Sequence, residues 1–148
     1  MVALSLSDMF CVDRHRRDFL DLVTSDVDVL LANETEILAL FQVATLEQAF
    51  EALAELGVLA AITRGAQGAD VATMTGVVRV PAHEVEHVVD QNGAGDMFAS
   101  GFLYGLALGA DPVEAAELGS LCAGEIITHL GARPEGDLED LALEAGLL

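Results

Sequence analysis

Twice in its first 57 residues the chain sets a short apolar run before a longer patterned one, a third apolar run follows at Val58–Thr63, and this alternation constrains the fold more than any other feature. Val2-Ala3-Leu4-Ser5-Leu6 reads as a short strand, followed by a charged helical stretch over Asp13 to Thr24 with Phe19, Leu20 and Val23 on one face. Val27 to Leu31 is a second strand. Asn33 opens a helix to about Phe41, and Thr45 opens another with Leu46, Ala49, Phe50, Leu53 and Leu56 at helical spacing. Gly57 closes that helix as a C-cap, and Val58 to Thr63 is the third strand. Ala69 to Thr73 and Val77 to Pro81, parted by Gly76, read as two antiparallel strands. Helices follow at Ala94–Leu108, Pro112–Leu130 and Leu138–Ala145, the second with proline at its first position after Asp111. Strands that alternate with helices imply an α/β layer fold with a largely parallel sheet flanked by helices. Ligands are then expected at the carboxyl ends of the strands. The whole chain, 1–148, reads as one unit without repeat or linker. It opens directly on a strand, which leaves an apolar edge in need of cover.

Composition narrows the partners. Twenty-five acidic residues face six arginines and no lysine, for a net charge of −19. Such a field repels nucleic acid and anionic membranes, so neither is expected as a partner. Without lysine there is no Walker-type phosphate grip, and a bound polyanion must rely on backbone amides, a metal ion or an arginine. The longest uncharged apolar run, Met97 to Ala110, falls short of the ~20 residues a membrane span needs. Cys11 and Cys122, far apart in apolar surroundings, read as reduced core thiols of a cytoplasmic protein. His15, His83, His87 and His129 are scattered without metal-ligand spacing.

Three stretches carry possible chemistry. In Asn92-Gly93-Ala94-Gly95-Asp96, small residues let amides at a helix start approach an anion. A carboxylate one turn in could take a proton from an alcohol held there; the same residues also serve as a turn with an acid placed well for the helix dipole. In Asn33-Glu34-Thr35-Glu36, Asn33 and Glu36 can aim oxygens at a hydrated Mg²⁺, and they equally have the spacing of a capping box. In Thr63-Arg64-Gly65-Ala66-Gln67-Gly68, Gly65 and Gly68 permit a tight turn whose amides, with the Thr63 hydroxyl and Arg64, could meet phosphates. Gly101, Gly105 and Gly109, four apart, mark a helix face packed closely on a neighbour.

In this order, together with the closing Leu130-Gly131-Ala132-Arg133-Pro134, the stretches resemble the ribokinase (PfkB) family of sugar and nucleoside kinases. Ser5-Leu6-Ser7-Asp8 and Phe10-Cys11-Val12 are similar to its adenosine-kinase-like branch. The resemblance implies a Rossmann-like ribokinase fold and ATP-dependent phosphoryl transfer to a sugar or nucleoside hydroxyl. It implies Asp96 as the base and Gly93, Ala94 and Gly95 as the anion hole. Asn33 and Glu36 would position Mg²⁺ and phosphate through water, and Thr63, Arg64, Gly65 and Gly68 would form the nucleotide phosphate loop. Ser120 would line the adenine pocket, and Asp90 with the backbone near Asn92 would take a monovalent cation, K⁺. Gln91 stands where the family commonly has threonine. Family members are much longer, so the resemblance is to a nucleotide-binding, catalytic half that lacks the N-terminal half and its lid. A chain of that kind is expected to form homo-oligomers or to need the missing half, and a non-catalytic nucleotide-binding module is the alternative.

Overall fold

The computed structural model describes residues 1–148. The backbone divides into two compact units, Met1–Arg64 with Asp70–Arg79, and Gly65–Ala69 with Val80–Leu148.

The first unit is built on a five-stranded sheet in the order β1 (Ala3–Ser5), β2 (Val29–Asn33), β3 (Leu59–Thr63), β4 (Ala69–Thr73), β5 (Gly76–Val80). β1, β2 and β3 are parallel, with Leu4 beside Leu30 and Leu30 beside Ala60. Only Met74 and Thr75 join β4 to β5, a connection that antiparallel neighbours alone allow. The sheet is therefore mixed, with three parallel strands and a terminal hairpin. Leu30, Ala32, Ala60 and Ile62 share one core with Val12, Val23, Ile37, Leu40, Ala49 and Leu53 from three helices, α1 (Met9–Ser25), α2 (Glu34–Phe41) and α3 (Leu46–Leu56). Val29, Leu31 and Ala61, on the opposite face, are buried as well. Burial on both faces explains why β2 and β3 read as continuous apolar runs rather than alternating ones.

α1 starts four residues before the expected Asp13. Asp8 caps it by accepting the Phe10 and Cys11 amides, and the helix is broken at His15. Its turn N-terminal to Asp13 is what overturns one expectation: Cys11 is exposed, because its neighbour Val12 takes the core-facing position and an adjacent helical residue points about 100° away. Cys122 is buried and both thiols are free. α3 ends at Gly57 in the left-handed conformation, its amide reaching the Leu53 and Ala54 carbonyls, as the sequence indicates.

The second unit holds α4 (Ala94–Leu108), α5 (Pro112–Ile126) and α6 (Leu138–Glu144). α4 and α5 approach at backbone distance. A Cβ on Gly101 would lie 2.8 Å from the Leu118 carbonyl oxygen, and one on Gly105 2.9 Å from Ala115 Cα. Gly119 supplies the reciprocal notch, 2.7 Å from the Phe98 carbonyl. Gly109 is no part of this face; it caps α4 in the left-handed region with nothing near it. α5 stops four residues short of Leu130 because the Ile127 carbonyl turns out to accept the Val89 and Asp90 amides. No single helix is long and apolar enough to cross a membrane.

Candidate functional site

In the first unit the sequence-predicted residues meet at the carboxyl ends of two neighbouring parallel strands. Asn33 is the last residue of β2 and Thr63 the last of β3, and they are register partners. Asn33 and Glu36 form a closed pair. Asn33 Oδ1 accepts the Glu36 amide at 2.9 Å, while Glu36 accepts the Asn33 amide (2.9 Å) and its Nδ2 (2.8 Å). Thr35 Oγ1 donates to the same Asn33 Oδ1 at 2.9 Å. The capping box is thus fully formed, with Glu36 only 6% exposed. It leaves one lone pair on each Glu36 oxygen.

Arg64 is spent on its own unit. Its Nε donates to Glu34 at 3.1 Å and its Nη1 to Asp70 at 3.2 Å. Asp70, 2% exposed, also accepts both forks of Arg79, at 2.8 and 3.1 Å. The hydrogen bond to Asp70, and then its charge, hold the Arg79 guanidinium pKa above its usual value. This Glu34–Arg64–Asp70–Arg79 network was not anticipated from sequence.

In the second unit Gly65–Gln67 makes one 3₁₀ turn closed by Gly68, whose amide donates to the Gly65 carbonyl. Gly68 has φ +90°, and any side chain there would strike the Val80 carbonyl and the Pro81–Ala82 backbone, so the loop requires glycine at that point.

The turn before α4 is the second group. Asp90 Oδ1 accepts the Asn92 amide at 3.0 Å and Oδ2 the Gly131 amide at 3.1 Å. These two bonds, the Asn92 one larger, lower the Asp90 pKa from its ordinary value. Gly93 is the N-cap of α4 at φ +84°, with Ala132 packed against it. Every other helix begins at a side chain that bonds its first amides: Asp8, Asn33, Thr45, Asp111 and Asp137. α4 alone begins without one. The amides of Gly95 and Asp96, at its second and third positions, have no partner within the helix. Both residues are exposed, and the Asp96 carboxylate rides on the same first turn. Ser120 is buried in α5, next to the Gly119 notch.

At the end of α5 and just beyond it lies a pair that the sequence reading passed over, Glu125 and His129, 3.3 Å apart. Their spacing of four on a helix was the available signal.

The five-stranded mixed sheet flanked by helices matches ribokinase-fold structures. The chain belongs to the pfkB family of carbohydrate kinases, whose model matches residues 3–138. It is 43% identical to the adenosine kinase of Sinorhizobium meliloti, with a TM-score of 0.93 over 97% of this chain and 44% of that one. A putative ribokinase II from E. coli, solved in complex with ATP and Mg²⁺, is 25% identical with a TM-score of 0.85, over 99% of this chain and 48% of that one. The cytidine kinase of Thermococcus kodakarensis is 36% identical over 120 residues, 78% of this chain and 42% of that protein. The chain therefore spans less than half the length of these relatives.

Proposed function

We propose that the chain is the nucleotide-binding, catalytic half-domain of an ATP-dependent kinase that phosphorylates a sugar or nucleoside hydroxyl. The observation that carries this reading is Gly95. Nothing lies within 4 Å of a Cβ built there, its φ is not in the left-handed region, and it sits in the first turn of the one helix whose amides lack a side-chain cap. Packing and backbone geometry give no reason for glycine at this position; close approach of an anion to the amides does.

In this reading Gly93, Ala94 and Gly95 stabilise charge that develops on the transferred phosphoryl group, fixed amides needing no rearrangement during the reaction. Asp96 accepts the proton of the acceptor hydroxyl. Thr63 at the end of β3, with the Gly65–Gly68 turn, meets the nucleotide phosphates, while Arg64 shapes that loop through its ties to Glu34 and Asp70. Ser120 belongs to the adenine side. No three carboxylate, histidine or cysteine side chains converge as a metal cage. A Mg²⁺ ion arriving with ATP would keep most of its water, as Mg²⁺ does; Glu36 would hold it through that water with its remaining lone pairs, and Asn33, whose Oδ1 already accepts two bonds, would donate its spare Nδ2 hydrogen to phosphate or water. Its chemistry is to neutralise phosphate charge. Asp90, each oxygen taking a single amide, has lone pairs left for K⁺.

A second reading, a nucleotide-binding module without turnover that pairs with itself or another chain, is favoured by the span of the matches, 42–48% of the relatives. Calorimetry with Mg-ATP, followed by ADP release with a panel of sugars and nucleosides, separates the two. Where turnover is seen, Asp96→Asn is expected to abolish it while Mg-ATP affinity stays within about threefold, about 0.6 kcal/mol. Turnover unchanged by the substitution removes Asp96 as the base, and no Mg-ATP binding by the chain removes both readings.

A further inference from the structure

The segment that follows α5 is tied at two places to carboxylates. Gly131 donates its amide to Asp90 Oδ2, and Glu135 and Gly136 both donate theirs to Glu125 Oε1 at 2.9 Å. Glu125 also meets His129 Nε2 at 3.3 Å, and His129 Nδ1 stands 3.9 Å from the Glu135 carboxylate. The Glu125 and His129 side chains are 11% and 12% exposed. Between the two ties lies Ala132, so close to Gly93 that a Cβ on that glycine would be 2.8 Å from Ala132 Cβ. The tied segment is thus the wall behind the N-cap of α4. Glu125 Oε2 is buried without a hydrogen-bond partner.

We propose that Glu125, with His129 as its counter-charge, is a positioning residue for the anion-binding turn, holding residues 130–136 as the wall that fixes Gly93 and the first amides of α4. The role in phosphoryl transfer rests on the function proposed above; the clamp itself does not. His129 faces two carboxylates, Glu125 in the last turn of α5 and Glu135 on the tied segment. The nearby Cys122 thiol is pushed up in pKa by burial, then by Glu125's charge, and stays neutral. Burial works against a proton on His129, but the hydrogen bond to Glu125, the Leu130 carbonyl and the two carboxylate charges outweigh it, and its pKa is raised. A raised histidine pKa places the added hold at low pH and removes it as pH climbs through that raised value.

Hydrogen exchange read on peptides covering 90–97 and 130–136, between about pH 6 and 8.5 and corrected for intrinsic base catalysis, tests this on the full chain. Glu125→Ala is expected to speed exchange about tenfold in both peptides, the loss of charge-assisted amide bonds. His129→Gln is expected to remove the pH-dependent step in both. Should the alanine variant not fold, the isosteric Glu125→Gln keeps an acceptor and loses the charge, and a flat pH profile is expected. Faster exchange confined to 130–136, or a pH step that persists in His129→Gln, overturns the proposal. Mg-ATP calorimetry is run in parallel. If the unaltered chain fails to bind, the kinase reading falls while the exchange data still judge the clamp.

Discussion

Replacing Gly95 by alanine should stabilise the fold and damage the site, and the two effects can be sized separately. A glycine inside a helix costs roughly 0.5–1 kcal/mol relative to alanine through backbone entropy. At Gly95 no neighbour opposes the new methyl, since nothing lies within 4 Å of its Cβ. The expected stability change is therefore a gain of about 0.5 kcal/mol, at the low end because the second helical position is only partly helical in its constraints. The methyl does stand where an anion would approach the Gly95 and Asp96 amides. A hydrogen bond to a charged group contributes about 1.5–3 kcal/mol, so losing one should weaken Mg-ATP binding about ten- to hundredfold. Gly101 supplies the contrast. There a Cβ would meet the Leu118 carbonyl at 2.8 Å, Cys122 Sγ at 2.9 Å and Gly119 Cα at 2.9 Å, and two of the three are backbone of α5 that cannot rotate away. Gly101→Ala should cost about 1–3 kcal/mol by forcing the helices apart, without any direct effect on nucleotide. Urea unfolding and calorimetry on both variants give the four numbers. An alanine at position 95 that binds Mg-ATP with unaltered affinity would refute the argument that this glycine exists for a ligand.

Three further outcomes follow from the same geometry. Asp70→Ala leaves Arg64 without its second partner and should cost about 3 kcal/mol in urea unfolding, because the carboxylate removed is 2% exposed. Asp90 and Glu125 both have lowered pKa values: Asp90 through the Asn92 and Gly131 amides, and Glu125 because, although burial pushes it up, the Gly136 and Glu135 amides and His129 prevail. Lowered carboxylate values give stability that is whole above the ordinary range and lost as pH falls through the lower folded values, so the melting temperature should fall progressively below about pH 4. With a net charge of −19 and no lysine, raising NaCl from about 20 to 200 mM should strengthen Mg-ATP binding in calorimetry by screening repulsion, the reverse of a site built on lysines.

Much of the architecture was legible because its signals were local. The Gly57 C-cap, the Asp111-Pro112 start and the Ala94–Leu108 helix each depend on residues within one or two turns, and each stands where the pattern puts it; Gly76 instead opens β5, and Met74–Thr75 is the break. The candidate site was legible in the same measure: Asn33 and Thr63 fall at strand ends because an apolar run stops there. What escaped was in part local and in part non-local. The start of α1 was hidden because Phe10, Cys11 and Val12 continue the apolar character of the strand before them, and only the Asp8 cap separates the two. The end of α5 depends on amides from residues 89 and 90, nearly forty positions earlier. Asp70 in an apolar strand was a visible anomaly, yet its partner Arg79 becomes a neighbour only once the Met74–Thr75 turn folds the hairpin.

The arginine network bears on why the proposed phosphate site would rest on backbone amides. Of the six cationic side chains in the sequence, Arg64 and Arg79 are held by Asp70 and Glu34, and Arg16 donates its Nε to the Leu40 carbonyl. Arg64 and Arg79 thus satisfy the chain's own anions, and a phosphate cannot outbid a buried aspartate bonded in a fork. Partial positive charge without a competing carboxylate is left at helix starts, and five of the six are already closed by a side chain. The sixth is the one that begins at Gly93. On the proposed kinase reading, that uncapped first turn of α4 is where phosphates would be met, with Asp96 on the same turn as the proposed proton acceptor.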